Sequence, residues 1–135
     1  MASIHLVERL PTVEEYLALR IAVGWGEVDR EAAVPGLRNS LYGVCLVENE
    51  KVIGCARVIG DGALYYYIQD VMVLPPYQGR GFGRQIMDSI MAYLRGQASP
   101  GTFVGLMAAQ GAAGFYRKYG FVERSPDRPG MYLSW

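Results

Sequence analysis

Between residues 41 and 74 the chain holds three segments rich in strand formers, 41–47, 52–59 and 63–74, separated only by short turns at Asn49-Glu50 and Gly60-Asp61-Gly62. A parallel pair of strands needs a crossover of about a dozen residues or more, and none fits there. The three segments must therefore run as an antiparallel meander, which fixes the middle of the fold before anything else is read. After Leu74 the period changes. Phe82, Ile86 and Ile90 recur every four residues with Met87, Met91 and Leu94 beside them, the apolar face of a helix that should end near Gly96.

The flanks supply the outer layers. Residues 3–9 read as a first strand. Thr12 followed by Glu15 is a capping box, opening a helix through Tyr16, Leu17, Arg20 and Ile21 to about Gly24. Residues 25–38 are predicted as a loop with a short second helix after Asp29, broken by Pro35-Gly36. Beyond Gly96, a buried strand is expected over 102–108, a short helix over 112–119 ended by Gly120, and closing strands over 121–124 and 131–135. No linker, repeat or low-complexity run divides the chain. Its 135 residues, 51% of them apolar, suit a single domain spanning 1–135. The predicted class is α/β, with a mixed, mostly antiparallel central sheet flanked by helices.

Thirteen basic and thirteen acidic side chains cancel, so nothing in the overall charge suggests nucleic acid or an anionic membrane as a partner. Any anion site must be local. No stretch approaches the roughly 18 apolar residues of a spanning helix, and Glu8 and Arg9 stand where a signal peptide would be apolar, so a cytoplasmic protein is expected. Cys45 and Cys55 read as small apolar strand residues, and no His or Cys cluster suggests a metal.

Residues 67–87, YIQDVMVLPPYQGRGFGRQIM, run from the last strand of the meander into the long helix through Gly79, Gly81 and Gly83. A helix start leaves about four N–H groups unpaired and carries about half a positive charge, which together favour a phosphate. Glycine removes the Cβ that would hold the phosphate off, and Arg80 and Arg84 can add charge-assisted contacts. The stretch therefore resembles a pyrophosphate cradle, although such a turn can also serve packing alone. No Gly-Lys-Ser/Thr follows, as a P-loop requires, and the glycine spacing departs from the dinucleotide fingerprint.

These residues carry a resemblance to a known family. Gln78-Gly79-Arg80-Gly81-Phe82-Gly83 matches the Gln/Arg-x-x-Gly-x-Gly/Ala signature of the GNAT superfamily of acyl-CoA-dependent N-acetyltransferases. DVMVLPPY at 70–77 resembles that family's central strand, and AAGFYRKYGF at 112–121 its closing motif. The resemblance implies that the backbone from Gln78 through Arg84 holds the CoA pyrophosphate. It also implies that Val71, Met72 and Val73 pair with the pantetheine arm, and that Tyr116 lies near the CoA sulfur. An Asn common seven residues before that tyrosine is replaced by Ala109.

The chemistry assigns the same parts without the family. A free alkylamine must lose a proton against a pKa near 10.4, about 4.6 kcal/mol at pH 7, so a base or a desolvating pocket must help. A phenol, protonated at neutral pH, can stabilise the departing thiolate, which makes Tyr116 the candidate general acid. On the strand, Gln69 and Asp70 are expected on opposite faces. A carboxylate used by some members of the family aligns with Tyr67, so Asp70 is the remaining candidate, acting as a base through a water or serving a structural hydrogen-bonding role. His5 reads as structural or superficial, and the Tyr65-Tyr66-Tyr67 run as sheet packing. Trp25 with Glu27, Asp29 and Glu31 can shape an acceptor site or form a solvated face.

The expected function is transfer of acetyl from acetyl-CoA to a primary amine of a small molecule, by direct attack in a ternary complex and with no metal. A non-catalytic CoA-binding sensor and a protein or peptide N-acetyltransferase are the alternatives. A homodimer is compatible with the sequence.

Overall fold

The computed structural model describes residues 3–135. The meander forms as its short turns demand. β2 (Tyr42–Glu48), β3 (Lys51–Gly60) and β4 (Tyr65–Val73) pair antiparallel in succession, and β1 (Ile4–Val7) pairs antiparallel with β2 at the outer edge. Asn49 and Glu50, with φ of 50° and 65°, are both left-handed, the pattern whose twist matches the flanking strands in a two-residue hairpin. α3 (Phe82–Gln97) is the long crossover that allows β5 (Phe103–Gly105) to lie parallel to β4, giving the order β1-β2-β3-β4-β5.

The helices lie on opposite faces of this sheet. Tyr42 stacks on Tyr93 of α3, with ring centroids 4.3 Å apart, and its hydroxyl meets Ser89 at 2.8 Å. Arg57 neighbours Val58, the residue opposite Tyr42, so it faces the other way. There it reaches the surroundings of α1 (Val13–Ala22) and α2 (Arg30–Arg38). With both faces covered, β2 and β3 are continuous apolar runs rather than alternating ones. Ile86, Met87, Ile90 and Leu94 fill one layer, and Tyr16, Leu19, Ala33 and Leu37 help fill the other. The Thr12 capping box opens α1 as predicted. Cys45 and Cys55 stand opposite each other as free, buried thiols. Burial pushes Cys45 up to about 11 and Cys55 well above its ordinary value, so both behave as small apolar groups.

Four expectations are corrected. α2 runs through Pro35-Gly36 to Arg38, because Ala33 and Leu37 anchor one face across the proline. The carbonyl at Glu31, four residues before Pro35, belongs to an exposed residue, where water can meet it. The strand expected over 102–108 keeps only three residues and is half-exposed, because it leaves β4 after Gly105. Segments 121–124 and 131–135 form no strand. Val122, Met131, Tyr132, Leu133 and Trp135 are 78–107% exposed. The last helix is shorter than expected, α4 (Ala113–Arg117), followed by a turn that reaches Gly120.

The hairpin at Asn49-Glu50 yields a direct test. A left-handed conformation costs a non-glycine residue about 1–2 kcal/mol, while glycine costs about 0.5–1 kcal/mol in lost freedom. Glu50→Gly should therefore stabilise the protein by up to about 1 kcal/mol, a rise of a few degrees (roughly 3–5 °C) in Tm by calorimetry. A fall in Tm would show that the turn does not need two left-handed residues.

Candidate active site

β4 and β5 touch at only three pairs, Tyr65 with Phe103, Tyr66 with Val104 and Tyr67 with Gly105, and then separate. A bulge accompanies the separation. Cys55 pairs with Met72 and Arg57 with Gln69, so two steps along β3 match three along β4, and Asp70 takes up the extra residue at φ 58°. The gap that opens holds a cavity of about 250 Å3, lined by residues 68–71 of β4 and 106–109 beyond β5, with Trp25 and Tyr116 completing the wall.

The bulge overturns the expected alternation. Gln69 lies opposite Arg57, and Asp70 reaches Arg57 as well, so both project to the α1–α2 face. Asp70 is 3% exposed and its carboxylate is fully engaged. Oδ2 accepts from Arg57 Nε at 2.7 Å and from the Tyr16 hydroxyl at 2.9 Å. Oδ1 accepts from Gln69 Nε2 at 3.3 Å and lies 3.6 Å from Arg20 Nη1. Burial first, and then the charge of Asp70, push the Tyr16 phenol up, so it stays a donor. Arg20 also donates to the carbonyls of Trp25 and Gly26, fixing the loop that brings Trp25 to the cavity. Asp70 thus borders the cavity, but its acceptor positions are occupied by structural donors.

The free edge of β4 faces the gap. The Leu74 N–H donates to Ile53 O across to β3, so by strand alternation Met72 also turns its main chain to β3, whereas Val71 and Val73 turn theirs outward. Met72, 2% exposed, backs this edge from the core rather than lining it. Gln78 Nε2 donates to Val73 O at 2.8 Å, tying the end of β4 to the glycine loop.

That loop leaves a one-turn 3-10 segment, Pro75–Tyr77, and becomes α3. Gly79 and Gly81 take φ of 75° and 86°, and no atom lies within 4 Å of where a Cβ would stand on either. Gly81 caps α3 with no side-chain acceptor, so Phe82, Gly83 and Arg84 begin the helix with N–H groups that have no intrahelical partner. The Arg80 guanidinium lies 5.6 Å from the Tyr77 ring centre and 5.2 Å from that of Phe82, and Arg84 is exposed. A Cβ on Gly83 would meet Phe115 at 3.7 Å, and the Phe115 ring packs edge-on against Tyr116 at 5.1 Å. Loop and cavity are thereby joined through α4. Burial raises the pKa of Tyr116, which is 9% exposed, so its hydroxyl keeps its proton at neutral pH.

Trp25, Asp70, Val71, Ala109 and Tyr116 meet in one cavity, and the glycine loop lies beside it rather than in its lining. Asp29 caps α2 through the Glu31 N–H, and Glu27 is exposed. His5 is exposed on β1. Sequence reasoning missed Tyr16, Arg20 and Arg57. The available signal was Arg57 itself, a charge inside the apolar run VIGCARVI. Among the described residues, no group of three or more His, Cys, Asp or Glu is placed to hold a metal ion, and no helix is long and apolar enough to cross a membrane.

Comparison with known proteins agrees with this geometry. Residues 39–123 match a family model described as an acetyltransferase (GNAT) domain. An uncharacterized N-acetyltransferase, ycf52, of Pyropia yezoensis is 30% identical over 82% of this chain, which spans 65% of that relative's length. Serotonin N-acetyltransferase 2, chloroplastic, of Oryza sativa is 39% identical over 56% of this chain and 36% of its own. Among solved structures, a probable acetyltransferase of unknown function from Staphylococcus aureus superposes with a TM-score of 0.93 at 40% identity, covering 98% of this chain and all of that one. A GNAT family protein of Streptococcus pneumoniae gives 0.81 at 29% identity, covering 98% of each.

The buried charge pair can be tested by itself. Arg57→Met leaves Asp70 without its nearest cation and should cost about 3–5 kcal/mol of stability in urea unfolding. Asp70→Asn keeps a residue that tolerates the left-handed backbone. Combined with Arg57→Met, it should restore at least about 1 kcal/mol relative to the sum of the single losses. Simple additivity would show that the two side chains do not depend on each other.

Proposed function

The chain belongs to the GNAT family of acetyltransferases, and from that premise we propose that it transfers acetyl from acetyl-CoA to the primary amine of a small molecule, both held in a ternary complex. The observation that carries this reading is the cavity between β4 and β5, where the largely buried Tyr116 and the outward edge at Val71 share one wall. The glycine loop fits a pyrophosphate. Open space stands where Gly79 and Gly81 would carry a Cβ, and the first turn of α3 and Arg80 add favourable charge. Bound there, acetyl-CoA supplies the activated thioester.

The chain's own groups then divide the work. The main chain of Val71 and Val73 pairs with and orients the donor's amide-bearing arm, after Gln78 yields the Val73 carbonyl. Tyr116 Oη holds a proton for the departing sulfur, and its raised pKa keeps that proton in place throughout the neutral range. Asp70 positions Arg20, and through it the Trp25 wall, instead of taking a proton. Deprotonation of the acceptor falls to desolvation. The apolar walls at Trp25, Ile68, Val71, Leu106 and Met107 disfavour an ammonium ion and so lower the cost of shedding its proton to solvent. The small cavity favours a small acceptor, and the rice relative named for serotonin points the same way.

Release of free CoA across a panel of amines tests the reading and separates it from a CoA-binding sensor. Tyr116→Phe should lower kcat by roughly 10- to 10⁴-fold with little change in acetyl-CoA affinity. A proton donor is lost only as pH rises through its folded pKa, so no alkaline loss of rate due to Tyr116 should appear below about pH 10. Wild-type turnover by Tyr116→Phe, with chemistry rate-limiting, would reduce that residue to packing. Gly81→Val, which places a β-branched residue at φ 86°, should weaken acetyl-CoA binding at least about tenfold in calorimetry. Unchanged affinity would remove the loop from the binding site.

A further inference from the structure

Trp25, Gln69, Asp70 and Tyr116 bring the polar side-chain groups of the cavity lining. An indole N–H only donates. Asp70 is already met by Arg57, Tyr16, Gln69 and Arg20, and Tyr116 Oη holds the proton meant for the departing sulfur. Gln69 is committed at one end only. Its Nε2 donates to Asp70 Oδ1 at 3.3 Å, and among the described residues no donor meets its Oε1. The direction of that amide is fixed by its neighbour. A carboxylate set between two arginines only accepts, so Asp70 draws the NH2 end and turns the carbonyl end away from itself. Gln69 is half-buried on the α1–α2 face of β4, and the loop after α1 brings Trp25 to the same cavity.

We propose that Gln69 Oε1 accepts an N–H of the acceptor amine and so holds the amine's lone pair toward the acetyl carbonyl, an assignment that rests on the acetyl-transfer reading. The count of donors favours this use. A primary ammonium brings three N–H groups to a wall with one free side-chain acceptor, and the two left over, with their charge, are stranded among apolar groups such as Ile68, Leu106 and Met107. A neutral amine has two N–H groups and a lone pair free for attack. One acceptor in an apolar wall therefore receives the reactive form in preference to the charged one.

The step balances with Gln69 as an acceptor of a hydrogen bond and not of a proton. The nitrogen lone pair forms the C–N bond, the C–S bonding pair leaves with sulfur, and sulfur takes the Tyr116 proton. Nitrogen, which has become positive, sheds one proton to water, and solvent returns one to the Tyr116 oxygen. Positive charge on nitrogen strengthens the N–H···O bond as the C–N bond forms, so Gln69 stabilises the transition state more than the bound substrates. Asp70 is then a positioning residue in two ways: through Arg20 it places Trp25, and through Nε2 it aims Gln69.

Steady-state kinetics on the full chain tests this, under conditions where chemistry limits and with folding checked by circular dichroism. Gln69→Met keeps the length of the side chain and removes its acceptor. It should lower kcat about 10- to 100-fold while acetyl-CoA affinity in calorimetry changes by less than about twofold. Should Gln69→Met fail to fold, Gln69→Ala takes its place with the same loss expected. Gln69→Glu keeps an oxygen at the same reach. At about pH 9, where even a carboxyl raised by Asp70 is ionised, it should turn over at least about threefold faster than Gln69→Met. A role confined to packing against Asp70 gives the reverse order, because a second carboxylate beside the first destabilises the pair. An unchanged kcat in Gln69→Met, an equal loss of acetyl-CoA affinity, or Gln69→Glu slower than Gln69→Met would overturn the assignment and leave acetyl transfer standing. No release of CoA by the wild type with any amine would remove the acetyl-transfer reading, and this assignment with it.

Discussion

Asp70 carries a carboxylate into the layer between the sheet and its first two helices, and much of the site depends on the charges that meet it there. Burying an ion costs several kcal/mol, a cost offset here by Arg57 from β3, Arg20 and Tyr16 from α1, and Gln69 from its own strand. Removing the carboxylate would leave two cations facing an apolar layer. The same residue takes the extra position of the β4 bulge, after which the strand no longer follows β5. One side chain therefore links the opening of the cavity, the seating of α1 and, through Arg20, the loop that carries Trp25.

The legible parts of this molecule were those decided locally. The two short turns left the middle strands no arrangement but a meander, and the four-residue apolar period marked α3. Thr12 and Glu15 satisfy each other within one turn of α1. The glycine loop was legible as a turn of unusual backbone opening a helix, and Gly79 and Gly81 do take positive φ before α3. The bulge was not. A strand reading YYYIQDVMV alternates equally well with or without an extra residue, and the choice is made by Arg57, thirteen positions away on another strand. The closing strands failed for a related reason: their composition is that of strands, but a strand needs a ladder, and neither segment pairs with one.

Asp70 and Tyr116 share the lining of one cavity but differ in their partners. Asp70 is committed to four side chains of the scaffold, whereas Tyr116 is a phenol whose burial raises its pKa. Trp25, Ile68, Val71, Leu106 and Met107 add apolar side chains to the same lining. A search for candidate side chains by acidity alone would settle on Asp70, whose acceptor positions are already taken.

Leu106, Ala108 and Tyr116 line both this cavity and a second, larger slot walled by residues 102–106 and 121–126. A ligand in one compartment that displaced these shared side chains would change the fit in the other, which is what thermodynamic linkage means. The linkage is reciprocal: if filling the slot tightens acceptor binding by some factor, the acceptor tightens whatever fills the slot by the same factor.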